Sequence, residues 1–278
     1  MPLAVTLAVI AACCIGASDF LAGIVSRRDP SQAALTWTFA VVAAVAVPTA
    51  VLADGKPAVA GLGWGAAMGI TWAIGIFALA RGIAQGRVVV VVPIAGVLSA
   101  AIPVLAGLLT EGRPGTVVGL GIAIGVIAVA LVGIGSQPSE GRSIPWSAIH
   151  GSIGGITTGL SLVFLDRAAD HGLWPLVAGA LLAGALTLAV VFATSRRWKP
   201  PRSAVGPATA MGLLIAVSFV AMLAAFRRGS LTVVAVVASQ YPAVTLLLAA
   251  RFWRQRPRGI QYLGVVLTLV AVALIAIG

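Results

Sequence analysis

Apolar residues recur in ten stretches of about 20 along this chain, and that length is what a helix needs to cross the hydrocarbon of a bilayer. The stretches are residues 3–25, 33–52, 61–80, 88–110, 116–135, 146–165, 174–194, 208–226, 231–252 and 260–278. Between them lie short polar or turn-forming breaks: Arg28-Asp29-Pro30, Asp54-Gly55-Lys56-Pro57, Glu111-Gly112-Arg113-Pro114 and Lys199-Pro200-Pro201. Such Pro, Gly and charged runs belong at a membrane surface. Sixty per cent of the residues are hydrophobic and 9% charged, too little polarity to dissolve a domain of this size in water. The expected fold class is an all-α membrane protein with ten transmembrane helices. The run near the N-terminus has no preceding cationic side chain and no small-residue cleavage signature. It reads as a first membrane helix, not as a removable signal.

The two halves of the sequence echo each other. Advancing by 143 positions takes Arg113-Pro114 to Arg256-Pro257, Gly121 to Gly264, and Ala128-Val129-Ala130-Leu131 to Ala271-Val272-Ala273-Leu274. Advancing by 147 takes Arg81-Gly82 to Arg228-Gly229. These correspondences suggest duplication of a five-helix unit: residues 1–136 as a first repeat, 137–145 as a connecting loop, and 146–278 as a second repeat. Five crossings leave the chain on the far side, so the second unit must insert upside down. Inverted repeats are common in secondary transporters, whose substrate sites lie at the repeat interface. The 33 glycines often fall four apart, as in Gly61, Gly65 and Gly69; Gly115 and Gly119; Gly121 and Gly125; and Gly151, Gly155 and Gly159. That spacing predicts tight helix contacts.

A net charge of +11 raises the question of nucleic acid, but the cations sit in short clusters between apolar runs and form no basic face. They suit lipid headgroups and orientation control. Connections after odd-numbered segments carry 13 Lys and Arg; those after even-numbered segments carry the other 5 of the 18. The positive-inside rule then places the odd connections in the cytoplasm and both termini outside. Cys13 and Cys14 are adjacent inside the first segment, a poor geometry for a disulfide, and are expected to pack as small residues.

Catalytic signatures are missing: no GxGxxG, P-loop, HExxH, GxSxG or CxxC pattern stands in its required context. The two histidines, His150 and His171, fall near predicted helix ends, and no ligand cluster suggests a metal. An enzyme is not expected, nor a cofactor. Acids within membrane segments call for a functional reading. Asp19 and Glu111 are therefore candidates for coupling or gating, against ion pairing of Asp19 with Arg27 or Arg28 and a surface position for Glu111. Asp166, beside Arg167, is expected to be structural. The middles of the segments offer neutral polar groups: Thr71 and Trp72; Ser99; Thr157, Thr158 and Ser161; Ser218; and Ser239, Gln240 and Tyr241. Each hydroxyl alone usually bonds its own helix. The Ser239-Gln240-Tyr241-Pro242 group is stronger, because Pro242 frees a backbone carbonyl one turn earlier. The expected substrate site comprises Thr71, Trp72, Ser99, Thr157, Ser161, Ser218, Ser239, Gln240 and Tyr241.

The run from Gly229 through Ser239-Gln240-Tyr241-Pro242 to Thr245 resembles the penultimate helix of EamA-type members of the drug/metabolite transporter superfamily. Arg256-Pro257 with Gln261 and Gly264 is similar to their approach to the last helix. Gly16-Ala17-Ser18-Asp19-Phe20 with Ser26-Arg27-Arg28, and Ala80-Arg81-Gly82 followed by Pro93 and Glu111-Gly112-Arg113-Pro114, extend the likeness into the first half. The resemblance implies ten helices in inverted repeats and transport of small metabolites, often export of amino acids across a bacterial inner membrane. Two positions depart from it. Gln255 stands where members carry an acid before the last helix, and Cys13 and Cys14 stand at the depth of the first-helix carboxylate of small multidrug relatives. Members with cytoplasmic termini contrast with the charge count.

The expectation is thus a multi-pass protein of the bacterial inner membrane, monomeric or weakly dimeric, whose partners are lipids and a small-molecule substrate and not nucleic acid. It would carry a polar or zwitterionic metabolite such as an amino acid by alternating access. The competing readings are efflux of hydrophobic or cationic drugs, and a membrane sensor or scaffold that transports nothing.

Overall fold

A computed structural model describes residues 2–28, 33–54, 57–85, 88–133, 144–194, 199–252 and 258–277. Among them run eleven α-helices: α1 (Pro2–Arg28), α2 (Ala33–Asp54), α3 (Val59–Gln85), α4 (Val88–Thr110), α5 (Thr116–Gly133), α6 (Ile144–Ala168), α7 (Trp174–Thr194), α8 (Arg202–Phe226), α9 (Leu231–Ala238), α10 (Tyr241–Phe252) and α11 (Gly259–Ile277). A 3₁₀ turn, Ala169–His171, extends α6. The described residues contain no strand. In water a run such as Val88 to Val92 would favour a sheet. In lipid an open strand edge has nothing to bond, whereas a helix satisfies its own backbone, and here this run opens α4. Eight stretches are long and apolar enough to cross a membrane, and two shorter apolar helices, Ile94–Thr110 and Thr116–Val132, accompany them. This is a multi-pass membrane protein.

Two expectations about the elements need correction. The ninth stretch is not one helix; it breaks at Ser239 and Gln240 into α9 and α10, which together form the span Leu231–Phe252. Several helices also outrun their apolar cores: α3 continues to Gln85, and α8 begins at Arg202 rather than Ala208. Polarity marks where hydrocarbon ends, and a helix can run on into the headgroup layer.

The outer surface is apolar, as lipid requires. On α11, Leu263, Val266, Leu269 and Val270 are exposed, while Gly264, Thr268, Ala271 and Ile275 face inward. Helices in lipid gain little from burying one another's apolar area, so close backbone approach and dispersion contacts must hold them. Gly65 lies so near the backbone of Pro175 on α7 that a methyl group would overlap it; Gly69 meets Gly179 the same way. Gly151, Gly155 and Gly159 lie along α4 at Val91, Ala95 and Ile102. Gly121 and Gly125 press on α11 and α9. The Gly115 and Gly119 pair departs from the expectation: at the start of α5 nothing stands near either residue, so neither brings helices together.

The packing partners obey a simple exchange rule. α3 lies along α6, and α1 along α8; α4 along α6, and α1 along α9 and α10; α3 along α7, and α2 along α8. Matching α1, α2, α3, α4 and α5 in chain order with α6, α7, α8, the α9–α10 pair and α11 converts the first member of each of these pairs into the second. The contacts α5–α11, α2–α7 and α4–α9 map onto themselves. Directions follow the same rule. α4 and α6 run parallel, from Val91–Gly151 to Ile102–Gly159; α1 and α10 also run parallel, from Gly16–Tyr241 to Phe20–Phe252. α3 and α6 are antiparallel, with Gly82 at His150 and Gly75 at Thr157 and Thr158; α1 and α8 are antiparallel too, with Ala4 at Gly229 and Val25 near Ala204.

Candidate functional site

The break in the ninth span is the main irregularity in an otherwise helical interior. α9 is fixed from its start. Ser230 caps it, its hydroxyl accepting from the Val233 N–H at 3.3 Å. Glu111, just beyond α4, accepts the Leu231 N–H at 2.6 Å and, at 3.4 Å each, the N–H and hydroxyl of Thr232. A carboxylate at a helix N-terminus opposes the positive end of the dipole. Glu111 thus fastens the end of α4 to the start of α9. All eight residues of α9 are buried.

At its other end α9 tightens. The Ser239 N–H donates to Ala235 O at 2.8 Å, and the Gln240 N–H to Val237 O at 3.2 Å, a 3₁₀-type bond. α10 restarts at Tyr241, with the Ala243 N–H donating to Gln240 O at 3.0 Å. Pro242 has no N–H to offer the Ala238 carbonyl. The negative end of α9 and the positive end of α10 therefore meet inside the span.

Gln240 and Tyr241 diverge from this break. The Gln240 amide donates to Gly125 O on α5 at 3.2 Å and to Val236 O at 3.1 Å, and its oxygen accepts from the Thr268 hydroxyl of α11 at 3.0 Å. Buried and bonded through both amide atoms, it braces α9 to α5 and α11. Tyr241 faces the other way. Its phenol lies near Ser99 of α4 and within electrostatic range of the Asp19 carboxyl on α1; the Ser99 hydroxyl donates to Gly96 O at 3.0 Å. One turn before Asp19, Gly16 nearly touches the Tyr241 carbonyl and Val244, and the Thr245 hydroxyl donates to Gly16 O at 3.1 Å. Asp19, Ser99 and Tyr241 thus converge from three helices. Ser239 is buried beside them in sequence, at the end of α9.

The remaining expected residues lie elsewhere. The Trp72 ring stands edge-on between Phe39 of α2 and Phe219 of α8, with centroid separations of 5.1 and 4.7 Å. Thr71 bonds Ala67 O at 2.8 Å, Thr157 bonds Ile153 O at 2.7 Å, Ser161 bonds Thr158 O at 2.6 Å, and Ser218 bonds Ile215 O at 2.8 Å, each within its own helix. Thr157 and Thr158 also flank Gly75 of α3. Sequence reasoning passed over Thr268, Thr245, Phe39 and Phe219. Single hydroxyls and phenylalanines in apolar helices carry no signal until their partners are known. Arg27 and Arg28, the expected ion-pair partners of Asp19, have side chains outside the described residues. Among the described residues its carboxyl makes no ion pair and no hydrogen bond. Asp166 stands near Glu111 and Asp170 at the end of α6. No group of His, Cys, Asp or Glu among the described residues could hold a metal ion.

Comparison with known proteins adds the following. Residues 145–277 match the model of the EamA-like transporter family. No curated protein sequence matches the chain. A protein crystal structure with 17% sequence identity superposes with a TM-score of 0.79, covering 98% of this chain and 96% of that chain. At that identity the likeness is one of fold, and it extends over the first half as well as the second.

Proposed function

We propose that this chain, whose residues 145–277 match the EamA-like transporter family, is a secondary carrier of a small polar or zwitterionic metabolite, such as an amino acid. The carrying observation is the broken ninth span, which brings Tyr241 together with Ser99 and Asp19 inside the membrane. Transporters place substrate sites at such interruptions, where freed carbonyls and helix ends replace water. The family consists of transporters, which accords with a site lacking a nucleophile paired to a base.

The carrier works by alternating access between two oppositely inserted five-helix units, residues 1–136 and 146–278. Support comes from the exchange rule: counterpart pairs share the same relative direction, while α6 runs against α3 as α1 runs against α8. A pocket that opens to either side needs two halves able to trade conformations. The cationic excess in the connections after odd-numbered segments places those connections in the cytoplasm and both termini outside. In a bacterial inner membrane this chain would act in export, as a monomer or weak dimer.

Counterflow in proteoliposomes tests the reading. Vesicles preloaded with an unlabelled amino acid should take up its labelled form transiently and saturably, and Tyr241→Phe should reduce that uptake. Ligand-induced stabilisation of the purified protein without any flux would turn the reading into that of a sensor.

A further inference from the structure

Taken at the level of half-helices, the exchange rule is broken between α4 and the ninth span. The end of α4 meets the start of α9. Exchanging the halves turns that contact into one between the start of α4 and the end of α10. Among the described residues α4 packs along α9 and has no comparable contact with α10, whereas α1 and α5 each lie along both. The ninth span is therefore joined to α4 at one end and parted from it at the other. The joined end is held by close contacts. Glu111 accepts the Leu231 N–H at 2.6 Å and, at 3.4 Å, the N–H and hydroxyl of Thr232. One turn earlier on α4, Gly107 lies so near the Thr232 hydroxyl that a methyl group would overlap it. A surface cleft of about 220 Å³, lined among others by Glu111, Arg113, Ser230 and Thr232, runs beside these bonds, and Glu111 itself is exposed. Water can thus take the place of the α9 donors when the carboxylate lets go, and release leaves no buried charge unpaired.

We infer that Glu111 is the latch of a gate. The structure is closed at the Glu111 end and parted at the opposite one, and Glu111 must release the start of α9 before the interior opens at its own end. This rests on the carrier reading above and assigns the residue that holds one of its two states. A carboxylate at an exposed helix N-terminus biases an equilibrium about fivefold, which favours one state without locking it.

Two single-cysteine reporters test this, with Cys13 and Cys14 changed to serine. Val104→Cys replaces a buried residue one turn before Gly107. Leu248→Cys replaces a half-buried residue two turns after Tyr241. The full-length protein is placed in uniformly oriented proteoliposomes, and a membrane-impermeant thiol reagent is applied from each side. With Glu111 intact, Leu248→Cys should label faster than Val104→Cys. Glu111→Ala should speed labelling of Val104→Cys from the Glu111 side about fivefold without speeding that of Leu248→Cys, and Glu111→Gln should do so to a smaller extent. A loosened fold would speed both. Rates that do not respond to Glu111→Ala, rates that rise at both reporters, or no labelling of either reporter overturn the inference. A Gly107→Cys/Thr232→Cys pair, placed closely enough for a disulfide, gives a second measurement. Its oxidation should stop counterflow and a reductant should restore it; counterflow that persists in the cross-linked protein also overturns the inference. If the parent carries no probe while Glu111→Ala shifts labelling as stated, the carrier reading falls and the latch stands. If counterflow proceeds and labelling ignores Glu111, the latch falls alone.

Discussion

Gln240 and Tyr241 are neighbours in the chain, but their side chains leave the helix break toward different helices. Gln240 is engaged by α5 and α11 through both amide atoms, so Gln240→Ala takes a donor from the buried Gly125 and Val236 carbonyls and leaves the Thr268 hydroxyl only Gly264 O. The expected cost is about 1–3 kcal/mol, read as a lower Tm in detergent. Tyr241→Phe removes only the hydroxyl that meets Ser99. It should leave Tm nearly unchanged and lower the maximal counterflow rate. Loss of transport in Gln240→Ala at an unchanged Tm would return Gln240 to the substrate site. The sequence identified both residues through the Ser-Gln-Tyr-Pro group. It could not assign them separate roles, because that depends on which helix each side chain faces, and the helix break sets the facing.

The elements were legible in proportion to how directly lipid dictates them. Ten apolar runs became helices because the bilayer leaves the backbone no other choice. The split of the ninth was only partly visible: Pro242 signalled a lost bond, but not that one helix would end at Ala238 and the next begin at Tyr241. Glycine spacing was informative where two helices meet and silent where they do not. Gly65→Leu, which drives a side chain into the α7 backbone at Pro175, should abolish a monodisperse, folded product. Gly119→Ala, with open space around it, should express and transport like the parent. Glu111 was read as a surface or gating acid, and its place at the N-terminus of α9 needed the fold. Replacing it by Ala removes a charged cap and should cost about 1 kcal/mol, seen as a lower Tm. The conservative Glu111→Gln, which keeps an accepting oxygen, should recover part of that loss. Equal stability of the alanine variant would deny the contact any energetic role.

At the scale of the whole molecule, matching the helices of the first half to those of the second in chain order carries the main helix contacts into one another. In the sequence it is the Arg-Pro and Arg-Gly punctuation that suggests duplication, since apolar runs blur into one another. Which surfaces of the two units meet was not readable, because low-complexity apolar faces differ little in sequence. The account stands on the two units opening alternately around Asp19, Ser99 and Tyr241. The direct test places a single cysteine at the Ser99 position, with Cys13 and Cys14 changed to serine, in uniformly oriented proteoliposomes. A membrane-impermeant thiol reagent is then applied from one side or the other, with and without a substrate gradient. The account predicts labelling from both sides, with the gradient shifting the balance between them. Labelling from one side only under every condition, or from neither, would contradict it.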